Sequence, residues 1–199
     1  MVQHLVLVLV AAPLFALSAP SSSLLRGSPL AVRRTSGRWR RRFRLTGTVA
    51  RALRHPVTAW LLPVGTLWLW HAAVLYDAAL RHTAVHMLEH ATFLLTAVLF
   101  WRVVVGGRGV GRVSPGLGVL MVFGMALQSV FLSVLLTFAR AAWYAGYTDT
   151  AAAWGFTPLA DQQLAGVIMW VPAGVIYLAA ALTLIVRWVQ STELEPASV

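Results

Sequence analysis

The 199-residue sequence has no cysteine, no lysine and few charged residues of any kind. Without cysteine the chain can form neither a disulfide nor a thiolate metal site, so a metal would need His, Met, Asp, Glu or backbone ligands. Charged residues make up 11% of the sequence and hydrophobic residues 59%, whereas a soluble domain carries about 25% charged residues. With a mean hydropathy of +0.74, this composition predicts an integral membrane protein.

Enzyme motifs are lacking as well. The sequence contains no glycine-rich phosphate loop, no nucleophile elbow and no carboxylate pair within an apolar segment. We therefore do not predict an enzyme. The basic residues also lack the fold context of nucleic-acid recognition, so nucleic acid is not an expected partner.

Long apolar segments alternate with short polar connections, and each spanning helix needs about 20 apolar residues. The sequence therefore predicts an all-α, polytopic transmembrane bundle of about five spanning helices. It forms one domain over residues 1–189, followed by a short polar tail over residues 190–199. Residues 76–81 are expected to be a tight connection. The predicted helices cover about residues 1–17, 56–76, 82–105, 116–138 and 164–188.

Arginines fix the expected orientation, because cytoplasmic loops carry an excess of basic residues. Ten of the sixteen lie between Arg26 and Arg54, which predicts a basic cytoplasmic loop over residues 21–55 that meets anionic lipids. The N-terminus is then outside and the C-terminus inside, in a multi-pass protein of the plasma membrane. A signal peptide at the start is disfavoured, because no basic region precedes the first apolar segment.

A histidine stripe opens the third predicted helix, with His82, His86 and His90 at i, i+4 and i+8. On a helix these positions share one face, and polar side chains at a membrane helix are costly to keep. The predicted topology brings this stripe near His4 and His71 on the outer side. His82 is expected at the water interface, and His55 on the cytoplasmic side, so neither is an expected ligand.

Imidazole and thioether groups suit copper, and imidazole alone also suits zinc or iron. We therefore predict a metal site, most simply copper, with haem or iron as the alternative. A second interpretation remains, in which these histidines bond to backbone carbonyls or to each other. Asp161 is also a possible capping residue for the last helix. The predicted ligands are His4, His71, His86, His90 and Met169, with Met87 as a further soft candidate, and the residues expected to orient them are Asp77, Glu89, Asp161 and Gln162.

Four segments of the chain are distinctive. They are Gln3-His4 with the apolar residues after it, Trp70-His71 to Tyr76, His86-Met87-Leu88-Glu89-His90, and Asp161-Gln162-Gln163 through Met169-Trp170-Val171-Pro172. Together these segments resemble the caa3-type cytochrome c oxidase assembly factor family, the CtaG type of actinobacteria and bacilli. The resemblance covers nearly the whole chain, and its most specific part is the last segment.

The resemblance implies a polytopic membrane protein that helps to assemble haem–copper oxidase at a copper-delivery step, with oxidase subunits as partners. It also implies further membrane helices before the Gln-His segment, whereas here Met1 comes directly before it. The sequence therefore suggests either a misassigned start or an N-terminally shortened member of the family.

Overall fold

The computed structural model describes residues 1–18, 47–105, 113–144, 146 and 148–193. These residues are helical and form no strand among themselves, which confirms the all-α prediction. Most of the predicted basic loop and the end of the predicted tail lie outside the described residues. The described helices are α1 (Val2–Ser18), α2 (Gly47–Leu53), α3 (Pro56–Trp70), α4 (Ala73–Arg81), α5 (Thr83–Val105), α6 (Pro115–Thr137), α7 (Thr148–Ala153) and α8 (Pro158–Glu193).

Three of the described helices, α5, α6 and α8, are long and apolar enough to cross a membrane. The pair α3 and α4 adds a fourth span if the two are counted together, although they are bent by 74°. Helix α1 is apolar but shorter than these. Many large apolar side chains on the helices are exposed, as lipid-facing residues are in a membrane bundle. The count of five spans and the outside N-terminus remain predictions.

Prolines and hydroxyl groups set where the long helices begin. Pro56, Pro115 and Pro158 occupy first positions, where a missing N–H costs nothing. The Leu117 N–H donates to Ser114 Oγ, at 3.4 Å, at the start of α6. At the start of α8 the Ala160 N–H donates to Thr157 Oγ1, at 3.1 Å. The alternative in which Asp161 caps this helix is therefore wrong, because Asp161 already lies in its first turn.

The predicted single helix over residues 56–76 is two helices, and the predicted connection over residues 76–81 is helical. The break falls at His71 and Ala72, where Ala72 is extended with φ −65° and ψ 128°. At the end of α3, His71 Nδ1 lies 2.7 Å from Leu67 O and the Tyr144 hydroxyl donates to His71 O, at 3.0 Å. The Tyr144 hydroxyl thus gives a partner to His71 O, a carbonyl at the end of the helix, whereas Leu67 O also accepts the backbone N–H of His71. The sequence does not mark this break, because residues 70–73 contain neither proline nor glycine.

Helix α1 is tied to α5 by an indole. Residues Val6–Ala11 have π-helical spacing, in which the Ala12 N–H donates to Leu7 O. The same spacing would pair Val8 O with residue 13, but Pro13 has no N–H. Trp101 Nε1 of α5 donates to Val8 O, at 3.0 Å, and fixes α1 about one turn below His4.

Helices α6 and α8 form the most extensive helix pair of the described chain. Gly166 of α8 allows this close approach, because a Cβ there would lie 2.9 Å from Ser133 O and closer still to Thr137 Oγ1. Small residues at such contacts are typical of membrane helix packing. The pair carries Met125 on α6 and Met169 on α8, so its spacing sets the distance between those two side chains.

Candidate metal centre

Four side chains form a cluster where the start of α1 meets the start of α5. We call His4, His86, Glu89 and His90 the histidine cluster. One ligand atom from each lies within 4.8 Å of the others. This spacing is close to what a single metal ion requires, because ligands about 2.0–2.2 Å from an ion lie within a few ångströms of each other. The predicted site residues His4, His86 and His90 are therefore brought together.

Helical spacing brings the two α5 histidines together. His86 Nε2 and His90 Nε2 lie 3.0 Å apart, and their ring centroids are separated by 4.3 Å at nearly a right angle. Two neutral rings at this distance share one proton, with one nitrogen donating and the other accepting. His82 and Met87 are exposed; Met87 is 68% exposed and does not lie in the cluster. His55 lies exposed at the start of α3, and its cytoplasmic position stays a prediction.

Glu89 has a different place from the one predicted. It was expected to orient a histidine from outside the site, but its carboxylate belongs to the cluster as a candidate ligand. Its Oε1 lies 3.6 Å from His4 Nε2, and the side chain is 4% exposed. A buried carboxylate is costly without a cationic or hydrogen-bonding partner. The cluster therefore gathers three imidazoles around a carboxylate that needs a positive charge.

His71 lies apart from these four residues, against a small cavity inside the bundle. Since Leu67 O can only accept, His71 Nδ1 carries the proton and the lone pair of a neutral ring is on Nε2. That Nε2 is buried and has no hydrogen-bond partner among the described residues, and the same holds for His4 Nδ1. A backbone carbonyl that holds one ring nitrogen is the usual support for a histidine that binds metal through the other.

We call this space the methionine cavity; it measures about 50 Å³. His4, His71, Met125 and Met169 line it together with mostly apolar side chains. The predicted ligand Met169 is 4% exposed and Met125 is equally buried. Nothing in the sequence singles out Met125, because a thioether on an apolar helix carries no signal of its own. The spacing of His4 and His71 around this cavity also could not be read from the sequence.

The other residues expected to orient ligands have different partners. The Gly146 N–H donates to Asp77 Oδ1, at 3.2 Å. The Trp143 N–H donates to Gln162 Oε1, at 2.7 Å, which holds the segment after α6 against α8. Asp161 lines a neighbouring cavity with Gln162. Asp77 and Gln162 thus bond to backbone N–H groups, and the role of these three side chains in orienting the ligands stays a prediction.

Comparisons with known proteins agree with this picture at the level of the family. The sequence matches the family described as cytochrome c oxidase caa3 assembly factor (Caa3_CtaG) over residues 1–191. The chain therefore belongs to this family of membrane assembly factors, which is not a class of enzymes.

Two curated relatives are uncharacterized proteins of Mycobacterium bovis and of Mycobacterium tuberculosis. Each is 26% identical to this chain over 146 residues, a stretch that covers 72% of this chain and 22% of the relative. The matched stretch thus spans about a fifth of the length of these curated relatives. No solved structure matches the chain.

Proposed function

We propose that this protein binds copper at the histidine cluster and supplies it during the assembly of haem–copper oxidase. The observation that carries the proposal is the convergence of three imidazoles and one carboxylate within 4.8 Å, on two helices that begin at the same end of the bundle. The family match supplies the biological context. Assembly of a haem–copper enzyme needs a copper donor, and this cluster has the ligand types for one.

The donor set fits copper by its chemistry. Imidazole suits copper, zinc, iron and nickel, and among divalent metals copper generally binds such ligands most tightly. A bound ion would replace the proton that His86 Nε2 and His90 Nε2 share at 3.0 Å. It would also place a positive charge beside the buried Glu89 carboxylate.

The site lies at the end of the bundle opposite Ser18, the last residue of α1. Helix α1 begins at the cluster and ends at Ser18, and the arginines follow Ser18 in the chain. Because basic loops stay in the cytoplasm, the cluster then lies near the outer face of the plasma membrane. In this topology α1, the α3–α4 pair, α5, α6 and α8 cross the membrane, and the arginines meet anionic lipids inside. Oxidase subunits would receive copper on the outer side.

The proposal is tested by titrating the detergent-purified protein with Cu(I) against a competing chelator. The variant His86→Ala/His90→Ala should bind copper at the histidine cluster more than about 100-fold more weakly, since it removes two ligands from one site. His82→Ala is the matched control, because this exposed histidine lies just before the same helix and outside the cluster. Equal, weak binding by the wild type and the double variant would end the copper proposal.

The carboxylate in the cluster also favours a second candidate, an iron or haem protein using the same histidines. Iron accepts mixed imidazole and carboxylate ligands, and haem accepts axial histidine. An optical spectrum with metal analysis separates the candidates. Bound iron or a Soret band would favour the second candidate, whereas copper without a Soret band favours the first.

A further inference from the structure

We propose that the methionine cavity is a second metal position, selective for Cu(I), with His71 Nε2 and the sulfurs of Met125 and Met169 as its ligands. This position extends the proposed copper function, and His4 connects it to the histidine cluster. The cluster and the cavity would then form two successive binding sites for the ion inside the bundle.

The first observation is the orientation of His71. His71 is 6% exposed, and its Nδ1 donates to Leu67 O at 2.7 Å. Its Nε2 has no hydrogen-bond partner among the described residues. A buried nitrogen with an unused lone pair is costly unless something binds it. This histidine lies at the bend between α3 and α4, where the backbone departs from regular helical geometry.

The second observation is the composition of the cavity wall. Met125 and Met169 come from different helices, are each 4% exposed, and line the same space of about 50 Å³ as His71. Such a space is larger than the roughly 10–15 Å³ that one water needs. Thioether ligands select Cu(I) over zinc and other harder ions. The donor set therefore differs in kind from the carboxylate-containing histidine cluster.

The third observation is the position of His4 between the two sites. Its Nε2 lies 3.6 Å from Glu89 Oε1 in the cluster, whereas its Nδ1 is buried and has no hydrogen-bond partner among the described residues. Its ring lies 4.8 Å from the ring of His90 and 4.9 Å from that of Phe93, and Phe93 also lines the cavity. His4 is thus the one residue shared by the histidine cluster and the lining of the cavity.

The test counts Cu(I) ions bound by the detergent-purified full chain and identifies their ligands by X-ray absorption at the copper edge. The wild type should bind two ions and show sulfur scattering. The variant Met125→Leu/Met169→Leu should bind one ion with nitrogen and oxygen ligands only, whereas His86→Ala/His90→Ala should keep one ion with sulfur ligands. Met121→Leu is the matched control, because Met121 is buried one turn before Met125 but lines a different groove.

Each outcome separates this inference from the proposed function. Copper bound by the wild type without sulfur scattering overturns the cavity site and leaves the cluster intact. Sulfur-bound copper that survives loss of both α5 histidines, with no second ion in the wild type, supports the cavity and overturns the cluster. No copper in any variant overturns both. Since the sulfur signal is measured on the wild type itself, the test does not depend on the folding of a variant.

Discussion

The histidine cluster takes three of its four residues from one helix, whereas the methionine cavity takes its donors from the end of α3, from α6 and from α8. The cluster therefore depends on spacing along α5 and on the docking of α1. The cavity depends on how five helices pack, and its ligands have no common sequence pattern. A local site can be read from a sequence, but a site built by packing appears only when the helices are placed.

The largest expected effect is that of His4→Ala, because His4 belongs to both regions. Loss of its two ring nitrogens should weaken Cu(I) binding at both positions, by more than about 100-fold at the cluster. Competition titration with the chelator measures this effect. Gln3→Ala is the matched control, since Gln3 is the exposed neighbour on the same helix. If His4→Ala weakens only one of the two positions, His4 does not connect them.

A smaller effect is expected from Glu89→Gln, which removes the carboxylate charge and keeps the size of the side chain. It should lower metal affinity at the cluster by at least about tenfold, because the charge that balances the ion is lost. The sulfur-bound copper of the cavity should be unchanged. Titration with Zn(II), which disfavours thioether ligands, measures the cluster alone. Unaltered Zn(II) affinity would remove Glu89 from the ligand set.

Gly166→Ala should act on the cavity and not on the cluster. The added methyl group meets Ser133 O and Thr137, so α8 must shift away from α6 and separate Met169 from Met125. Overpacking of this kind costs about 1–3 kcal/mol, which thermal unfolding in detergent detects. Gly174→Ala is the control on the same helix, because nothing lies within 4 Å of the added atom. Equal stability of the two variants would contradict the close contact at Gly166.

The smallest expected effect is that of Trp101→Phe. It removes the indole N–H that donates to Val8 O, which Pro13 cannot replace, and should cost about 1 kcal/mol of unfolding free energy. Looser docking of α1 should weaken copper binding at the cluster by a few fold, through His4. Trp154→Phe provides the comparison, because Trp154 is 82% exposed. If Trp101→Phe is as stable as the wild type, other contacts fix α1 against α5.

Composition and helical spacing were enough to predict the long helices and the core of the histidine cluster. Apolar segments indicated α5, α6 and α8 to within a few residues at most ends, and the i, i+4 spacing indicated His86 and His90. His4 was also expected near these residues from the predicted topology, and the structure places it beside them.

Features that arise from packing could not be predicted. The bend at His71 has no proline or glycine to mark it, so His71 was expected beside the cluster and not against the cavity. Glu89 was expected to orient a ligand. Its contact with His4 arises only when α1 packs against α5, and this packing cannot be read from the sequence. Met125 resembled an ordinary core residue. Asp77 and Gln162 were expected to orient the ligands because they are polar. In the structure their side-chain oxygens accept hydrogen bonds from backbone N–H groups of the segment after α6.

The most direct test of the account is the metal content and optical spectrum of the protein purified from copper-supplied cells, beside the His86→Ala/His90→Ala variant and the His82→Ala control. The account predicts copper without a Soret band in the wild type and in the control, and one copper ion fewer in the double variant. Bound iron, a Soret band, or the same copper content in all three proteins would contradict it.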